Sequence, residues 1–269
     1  MSCVSLITDF GLSDEYAGVM KGAILSVDPN ADIIDITHQV DPQDVLQAAG
    51  LIQTAYRYFP KGTVHVVVVD PGVGTGRDIL AGEGSGHRFL APDNGILSPL
   101  RKNGEIETIH RVENGDLFRH PVSCTFHGRD IFAPVAGHLS AGVSLKALGP
   151  AIDPEEMTGL ELPFPTHSPS GDLLGTVVSI DHFGNLVTNI ESEDLEKWMA
   201  AAGPENIIIQ VGENRIQGMS PSYESAGFEK PLAIIGSRGY LEVAVNRGNA
   251  CRALGVGKRD RVVVSKFDE

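Results

Sequence analysis

The first half of the chain alternates strand-length apolar runs with segments of helical spacing, and this alternation limits the fold more than any other feature. Apolar runs at residues 4–10, 31–40 and 63–70 predict buried strands, and the apolar spacing over residues 15–27 and 44–58 predicts helices. The second helix is predicted to have Asp41 as its N-cap and Pro42 at its first helical position. Short strand–helix links favour a largely parallel sheet covered on both faces.

The second half of the chain has a different texture. Five prolines punctuate residues 149–171, which we interpret as an interdomain connection. Only strand patterns follow, parted by Gly, Asn and Asp turns: residues 173–181, 185–190, 206–211, 231–237, 240–246 and 261–267. We therefore predict two domains, an α/β N-terminal domain over residues 1–160 with a mainly parallel sheet, and a smaller all-β, barrel-like domain over residues 161–269.

Composition excludes several classes of protein. The net charge is −14 and no block of Lys or Arg occurs, which argues against nucleic acid as a partner. Apolar runs fall short of the about 20 residues that cross a bilayer, so no membrane association is expected. The N-terminus lacks a basic leader, and three widely spaced cysteines favour a reducing cytoplasm over a disulfide framework or a cysteine zinc site.

A glycine-rich loop follows the third strand, in the sequence VVVVDPGVGTGR over residues 66–77. It lacks the lysine of a phosphate-binding P-loop, and its glycine spacing differs from a dinucleotide fingerprint. Strand and hairpin patterns follow it instead of a helix, and Asp70 would repel phosphate. Two interpretations remain: a tight turn permitted by glycine, or a loop that directs Asp70 and Arg77 into a site.

Several short motifs carry chemistry-bearing residues, but each has a structural explanation when taken alone. The segment FHGRD places His127 at a turn before a helix, where a lone histidine is more often a hydrogen-bonded structural residue than a catalytic one. DHFGN over residues 181–185 is compatible with a β-turn, and SRGYLEVAVN over residues 237–246 with a hairpin strand. Local evidence leaves these alternatives open.

Taken in order, the motifs are more specific. The set ITDFGLSDEYAGVMKG, DPGVGTGR, APDNG, FHGRD, DHFGNLVTNI and SRGYLEVAVN resembles the S-adenosyl-L-methionine hydroxide adenosyltransferase family along nearly the whole chain. These enzymes are hydrolytic relatives of the fluorinase and chlorinase enzymes. The resemblance implies a homotrimer whose sites lie between one subunit's N-terminal domain and its neighbour's C-terminal domain. It also implies attack of water at C5′ of S-adenosylmethionine (SAM), giving adenosine and methionine, with SAM as substrate and no cofactor or metal.

The resemblance assigns the catalytic roles to Asp70, Arg77 and His127. Asp70 and His127 would orient the water and take its proton, and Arg77 would stabilise developing hydroxide. Which group holds the proton is left open. The halogenases carry uncharged residues at the position of Asp70 and serine at the position of Gly128, so the resemblance favours water over halide.

Substrate-binding roles also follow from the resemblance. Asp9 would accept hydrogen bonds from both ribose hydroxyls, because a carboxylate suits a vicinal diol. The remaining contacts are Asn185 with backbone near Asn246 and Arg247 at the adenine edge, Tyr223 stacked on the base, Asp14, Asp181 and Glu242 at the methionine ammonium, Ser237 and Arg238 at its carboxylate, and Tyr16, Phe126, Phe183 and Val245 as further substrate-binding residues.

Three alternative functions remain at this stage. A SAM-dependent halogenase of the same superfamily would share most of the motifs. A metal-dependent hydrolase would draw ligands from Asp9, His38, Asp70, His127 and His182, although none shows close metal-ligand spacing. A non-catalytic binder of adenosine or SAM would not need Asp70, Arg77 and His127 together.

Overall fold

The computed structural model describes residues 2–161, 163–202 and 207–266. The chain divides into two compact units, Met1–Glu161 and Leu162–Glu269. Asn206 and Phe267, at the ends of two predicted strands, lie outside the described residues. Within the described ranges, none of the helices combines the length and the apolar character that a bilayer crossing requires.

The first unit is built on a seven-stranded sheet with helices on its faces. The strands follow the spatial order β2-β1-β3-β5-β4-β6-β7. The elements are β1 Ser2–Thr8, α1 Tyr16–Val27, β2 Ala31–Thr37, α2 Val45–Ala55, β3 Val64–Val68, β4 Ile79–Gly84, β5 His87–Pro92, α3 Ser98–Lys102, β6 Thr108–Arg111, α4 Ala133–Ser140 and β7 Ala151–Ile152. The predicted strands and helices of the first 70 residues are thereby confirmed in type and approximate place.

The sheet of the first unit is mixed, and the prediction of a mainly parallel sheet is wrong. The pairs β1–β2, β1–β3 and β3–β5 are parallel. The pairs β4–β5, β4–β6 and β6–β7 are antiparallel. The change of direction follows from a two-residue hairpin turn at Ser85 and Gly86, whose φ angles of 52° and 78° suit the twist of antiparallel strands.

Two apolar clusters lie on the faces of this sheet. Met20 of α1 and Val135 of α4 pack in one cluster with Leu6 of β1. Ile52 of α2 packs in the other with Ile7, which is the next residue of β1. Successive residues of β1 therefore face opposite layers, as expected for a strand buried on both sides. The outer strand β2 is only partly buried, so its prediction as a buried strand is wrong.

Helix α2 begins later than predicted. Its N-cap is Asp44, whose side chain accepts a hydrogen bond from the Gln47 backbone N–H, and not Asp41. The Asp41 backbone N–H instead donates to the Gln47 side chain at 2.8 Å. Gln43, between the two aspartates, has a left-handed φ of 66°, which breaks the helical path before Asp44. The sequence pattern predicted only Asp41, and the turn conformation at Gln43 moves the cap to Asp44.

The second unit contains an antiparallel sheet of eight strands that is nearly closed. Its main path runs β12-β11-β15-β9-β10-β14-β13, and β8 pairs with β9. The outer strands meet where the Ser220 N–H donates to the Ala233 carbonyl at 2.7 Å. The elements are β8 Thr166–His167, β9 Leu173–Ile180, β10 Leu186–Glu191, α5 Ser192–Ala202, β11 Ile207–Val211, β12 Asn214–Gln217, β13 Pro231–Ile235, β14 Tyr240–Val245, α6 Ala250–Leu254 and β15 Arg261–Lys266.

The second unit also contains two helices, so its description as all-β is wrong. Helix α5 places Leu195 and Trp198, three residues apart, in the apolar core of the unit. The Trp198 indole N–H donates to the Gly171 carbonyl at 2.7 Å. Helix α6 is capped by Asn249, which accepts from the Arg252 N–H. Both helices lie in links between strands, where the sequence analysis expected turns.

Candidate active site

A cavity of about 490 Å³ opens in the first unit beyond the carboxyl ends of β1 and β3. Ligands of open α/β sheets bind at such strand ends. Asp9 follows β1, and Asp70 follows β3 by two residues. The cavity is lined by Asp9, Phe10, Glu15, Tyr16, Val19, Val68, Asp70, Val73, Ser123, Thr125, Phe126, His127, Gly128 and Arg129.

Asp70, Arg77 and His127 form one hydrogen-bonded group. The Arg77 Nε donates to Asp70 Oδ1 at 3.0 Å and to Oδ2 at 2.9 Å, and its terminal nitrogen also donates to Oδ2. The same terminal nitrogen lies 2.9 Å from His127 Nδ1. The side chains of Asp70 and Arg77 are only 5% and 11% exposed, so this ion pair is held away from bulk water. The structure thus brings the three predicted catalytic residues into contact.

The contact with Arg77 fixes the tautomer of His127. A guanidinium can only donate, so Nδ1 must accept, and in the neutral ring the hydrogen lies on Nε2. Burial lowers the pKa of His127 below its ordinary value, and the charge of Arg77 lowers it further, whereas Asp70 and Asp130 act in the opposite direction. His127 is therefore neutral near pH 7 and presents a hydrogen-bond donor at Nε2.

The glycine-rich loop is a tight turn that joins Asp70 to Arg77. The Val73 N–H donates to the Asp70 carbonyl at 3.2 Å, and the Thr75 hydroxyl donates to the Gly72 carbonyl at 2.7 Å. Gly74 has a φ of 77°, and a Cβ there would lie 2.2 Å from the Cys124 carbonyl oxygen. Glycine is thus required at residue 74 by both conformation and contact.

An aromatic wall closes one side of the cavity. Phe10, Tyr16 and Phe126 meet edge to face, with ring centroids 5.1–6.1 Å apart. A Cβ on Gly128 would lie 3.1 Å from the Phe126 ring and 3.2 Å from the Phe10 ring. The wall therefore approaches the backbone closely at residue 128. Tyr16 and Phe126 are predicted substrate-binding residues, and Phe10 was not foreseen.

Asp130 is a further residue to which the sequence analysis gave no role. It is fully buried at the π-helical turn Gly128–Phe132, which continues into α4. Its carboxylate accepts two hydrogen bonds from Arg129, at 2.7 and 2.8 Å, and one from the Ser123 N–H at 2.9 Å. Although burial acts to raise it, the bonds from Arg129 and Ser123 lower the pKa of Asp130. Asp130 thus ties His127 and its turn to the loop around Ser123.

Asp9 and Asp14 differ in their placement. Asp9 lines the cavity, and its Oδ2 accepts the Gln43 backbone N–H at 2.9 Å. Asp14 is exposed and does not line this cavity. Only the first of these two predicted ligands therefore lies at the cavity of the first unit.

The predicted ligands of the second unit include a compact group around Glu242. Asp181 accepts from the backbone and side-chain N–H groups of Asn185, at 2.8 and 2.9 Å. The Tyr223 hydroxyl donates to Glu242 at 3.3 Å. Burial raises the pKa of Glu242, Tyr223 and Arg238 act to lower it, and Asp181 raises it further. Four of the predicted ligands are therefore close enough to act on Glu242 or to bond with one another.

The remaining predicted ligands of the second unit are divided by burial. Asn246 is buried, and its side chain donates to the Ala226 carbonyl at 2.7 Å. Phe183 is 72% exposed, which is unusual for a large apolar side chain. The others are Ser237 and Arg238 in the exposed turn before β14, Val245 buried at the end of β14, and Arg247 exposed with a φ of 54°.

No group of three or more His, Cys, Asp or Glu side chains within residues 2–161, 163–202 and 207–266 is arranged to hold a metal ion.

Comparison with known proteins finds relatives along nearly the whole chain. Residues 4–149 match the SAM hydroxide adenosyltransferase N-terminal domain, and residues 175–263 match the C-terminal domain. A curated protein from Thermus thermophilus, named (R)-S-adenosyl-L-methionine hydrolase, is 35% identical over 95% of this chain and 96% of its own length. A fluorinase from Actinoplanes sp. is 31% identical over 90% of each chain.

A solved structure has the same fold. The crystal structure of an uncharacterized conserved protein from Thermotoga maritima matches with a TM-score of 0.89 and 34% identity, covering 99% of this chain and 100% of that one. Both domain matches fall in order along the chain and together span most of it. The chain therefore belongs to the SAM hydroxide adenosyltransferase family.

Proposed function

We propose that this protein hydrolyses SAM to adenosine and L-methionine through attack of water at C5′. Its curated relatives in Thermus thermophilus and Salinispora tropica, 35% and 34% identical, are named (R)-S-adenosyl-L-methionine hydrolase. The observation that carries the proposal is the bonded group of Asp70, Arg77 and His127 beside a cavity of about 490 Å³. A site of that size suits one small-molecule substrate.

The step that needs most help from the protein is the positioning and deprotonation of the nucleophilic water. The C5′–S bond breaks with its electron pair passing to sulfur, and a neutral thioether leaves without a general acid. A water oxygen forms the new bond to C5′, in line with the leaving sulfur at a near-attack distance of about 3–3.5 Å. The water then loses a proton. The residues at this end of the cavity must therefore hold one water and accept one proton.

We assign the proton to Asp70 and a donor role to His127. The Asp70 carboxylate lines the cavity, while Arg77 binds both of its oxygens. Because His127 Nδ1 is occupied by Arg77, its Nε2–H is the atom that faces a ligand as a donor. His127 would then orient the water oxygen and stabilise hydroxide character. Arg77 holds both partners in register, and the proton passes from Asp70 to solvent.

The test of the reaction is turnover in ¹⁸O-labelled water, with products resolved by mass spectrometry. We expect label in the 5′-hydroxyl of adenosine and none in methionine. Addition of fluoride or chloride, as separate incubations, tests the halogenase alternative suggested by the fluorinase relatives. Formation of 5′-halogenated adenosine in place of adenosine would reject hydrolysis as the function, and binding without any turnover would support a binder.

The role of Asp70 is tested by Asp70→Asn. We expect turnover to fall by about 100-fold or more, while the Kd for adenosine stays within a few-fold of wild type. Asp78→Asn is the matched control, because the Asp78 carboxylate pairs with Arg111 at 2.8 Å and does not line the cavity. A comparable loss of adenosine affinity in Asp70→Asn would make Asp70 a ligand anchor instead.

The donor role of His127 is tested by comparing His127→Gln with His127→Ala. A glutamine amide supplies an N–H donor near the position of Nε2 but cannot take a proton. If His127 only donates, we expect His127→Gln to retain at least tenfold more turnover than His127→Ala. Equal loss in both variants would indicate that His127 is the base.

We also propose independence of metal and of any other cofactor. SAM itself supplies the leaving group, and the Asp70, Arg77 and His127 group supplies the charges needed at the water. Full activity after treatment with EDTA and removal of the chelator complex is the expected result. Loss of activity that added Zn²⁺ or Mg²⁺ restores would favour the metal-dependent alternative.

We further propose a homotrimer with sites between subunits, as the family resemblance implies. The exposed Phe183 and the 43% exposed Tyr223 support it, because each offers an aromatic surface that a neighbouring subunit would cover. Light scattering measures the oligomeric state. Co-expression of Asp70→Ala with Asn185→Ala tests the sites, since randomly mixed trimers would regain roughly a quarter of the wild-type sites. No recovery would place each site within one subunit.

A cytoplasmic location is also proposed. The three cysteines, Cys3, Cys124 and Cys251, are all free thiols, as expected in a reducing compartment. Fractionation of cells that express the tagged protein at its native level would test the proposal.

A further inference from the structure

The segment that carries Asp9 and Phe10 into the cavity is fastened to His38. His38 follows β2, is 2% exposed, and its Nδ1 lies 2.8 Å from the Thr8 hydroxyl oxygen. The same hydroxyl accepts the Phe10 backbone N–H at 3.3 Å, and the His38 carbonyl accepts the Gly11 N–H at 2.7 Å. His38 therefore fixes this segment on both sides of Asp9 and Phe10.

The direction of these hydrogen bonds is set by the other side of the His38 ring. Nε2 lies 3.1 Å from Asp35 Oδ1. Although burial acts to raise it, the Lys21 ammonium and the His38 ring lower the pKa of Asp35, which is therefore charged. The contact lies outside hydrogen-bond geometry, but the charge of a carboxylate at this distance favours a hydrogen on Nε2, so Nδ1 accepts and the Thr8 hydroxyl donates. The charges of Lys21 and Asp35 therefore decide that His38 accepts and the Thr8 hydroxyl donates.

Asp9 receives its own restraint from the segment after His38. The Gln43 N–H donates to Asp9 Oδ2, and it is directed there by a left-handed φ of 66°, which the Cβ of any residue other than glycine disfavours. Among the described residues, the Gln43 N–H is the donor that binds the Asp9 carboxylate. Residues 38 and 43, on one connecting segment, therefore hold the backbone and the carboxylate of the segment around Asp9.

We propose that His38 is a positioning residue for the Asp9 carboxylate, which it holds, through Thr8 and its own carbonyl, in the orientation that binds the vicinal diol of a ribonucleoside. The inference rests on the proposed function, in which Asp9 contacts the ribose. Buried polar groups are costly unless paired, so a histidine placed here needs the contacts it makes. Two of its partners, the Thr8 hydroxyl at the end of β1 and the Gly11 N–H, flank the segment that enters the cavity.

The experiment compares adenosine with 2′,3′-dideoxyadenosine by calorimetry. A carboxylate bonded to the diol should favour adenosine by about tenfold or more in the wild-type protein, because hydrogen bonds to charged groups are the stronger ones. In His38→Ala this ratio should collapse to within threefold of unity. In His38→Asn it should recover, because the Asn side-chain oxygen can accept from Thr8 near the position of Nδ1.

His65→Ala is the matched control. His65 is also fully buried, and its Nδ1 lies 2.6 Å from the Ser5 hydroxyl, but it lies in β3, five residues before Asp70, and does not line the cavity. It should lower stability while leaving the adenosine to dideoxyadenosine ratio at the wild-type value. Kinetics with SAM should show a raised KM and a kcat within threefold in His38→Ala, since the diol contact is present in ground and transition states alike.

Thr8→Val gives an independent test that keeps side-chain volume. It removes the hydroxyl between His38 and Phe10, so it should lower the ratio as His38→Ala does, even if that variant fails to fold. A wild-type ratio in Thr8→Val, or in a folded His38→Ala, overturns the inference and leaves the proposed function intact. A wild-type protein that binds adenosine and dideoxyadenosine equally removes the ribose role of Asp9, and the inference with it. Absence of SAM turnover and adenosine binding in wild type rejects the proposed function itself.

Discussion

A buried histidine in the sheet of the first unit should make that unit sensitive to acid. His65 is 0% exposed, its Nδ1 lies 2.6 Å from the Ser5 Oγ, and its Nε2 lies 3.1 Å from His87 Nδ1. Tyr56 and Phe89 pack around it, with ring centroids 6.2 and 5.4 Å away. Burial, with a smaller effect from His87, lowers the pKa of His65 to about 3. The folded unit therefore keeps this ring neutral over the mildly acidic range.

The magnitude follows from the difference between folded and unfolded states. In the unfolded chain, a histidine has a pKa of about 6.5, so between pH 6.5 and 3 the unfolded state binds one more proton. The free energy of unfolding then falls as the pH falls, by about 1.4 kcal/mol per pH unit. From pH 7.5 to 4.5 the loss is about 3 kcal/mol. Because pH 4.5 is above the folded-state pKa, the loss of unfolding free energy is set by the pKa of the histidine in the unfolded state.

The assay compares wild type with His65→Asn, which cannot titrate. Trp198, the single tryptophan, lies in the second unit, so its fluorescence does not report on His65. Hydrogen exchange of the β1 and β3 amides, read by mass spectrometry at both pH values, reports the opening free energy of the first unit. We expect wild type to lose about 3 kcal/mol more than the variant on acidification. An equal loss in both proteins would refute the reasoning, because His65 would then titrate alike in both states.

Two further substitutions test backbone conformations near the site. Gly74→Ala should lower stability by about 2 kcal/mol or more and reduce turnover, because its Cβ would meet the Cys124 carbonyl and its φ is left-handed. Thermal unfolding and activity assays would measure both effects. Gly76→Ala, in the same loop with open space at its Cβ, should leave both nearly unchanged. Gln43→Gly should keep the N–H bond to Asp9 and raise stability by up to about 1 kcal/mol through relief of the left-handed φ. A destabilised Gln43→Gly would mean that the glutamine side chain matters more than the conformation.

The sequence was a good guide to the first unit where periodicity and burial agree. Helix α1 was placed within one residue of Tyr16–Val27, and β3 was recognised by its run of valines. Strand and hairpin patterns were expected over β4 and β5, but the sheet was still predicted to be mainly parallel, because apolar runs look alike in parallel and antiparallel strands. The turn at Ser85 and Gly86 carried the missing information, since a two-residue link cannot join parallel strands.

In the second unit, the spacing of apolar residues did not identify helix α5. Helix α5 begins SEDLEKW, with acidic residues in its first turn and Leu195 and Trp198 on one face. These are helix signals, but a single short helix among six strand patterns was taken as a connection. The N-cap of α2 depends on local conformation: the helix begins at Asp44 and not at the predicted Asp41, because the left-handed Gln43 breaks the helical path between them.

The sequence predicted which residues form the candidate site but not which hydrogen bonds join them. The family motifs selected Asp70, Arg77 and His127, and the structure brings them within hydrogen-bond distance. The sequence could not indicate that Arg77 occupies His127 Nδ1, because residues 50 positions apart meet only through the fold. In our proposal, that contact makes the Nε2–H of His127 a donor and Asp70 the proton acceptor, a choice that the sequence had left open. The part played by Asp130 likewise depends on a loop path that no local pattern reveals.

Overall identity does not separate hydrolases from halogenases in this family, since this chain is 35% identical to a SAM hydrolase and 31% identical to a fluorinase. The local charges are more informative. Asp70 lines the cavity. Arg77 binds Asp70 from the glycine-rich loop but does not itself line the cavity. A halide beside that carboxylate would be repelled, and the Arg77 guanidinium bound on its far side would offset only part of the repulsion, whereas a neutral water is not repelled. Gly128 lies too close to the Phe10 and Phe126 rings to accept a serine side chain without movement of the wall. Both features favour water as the nucleophile.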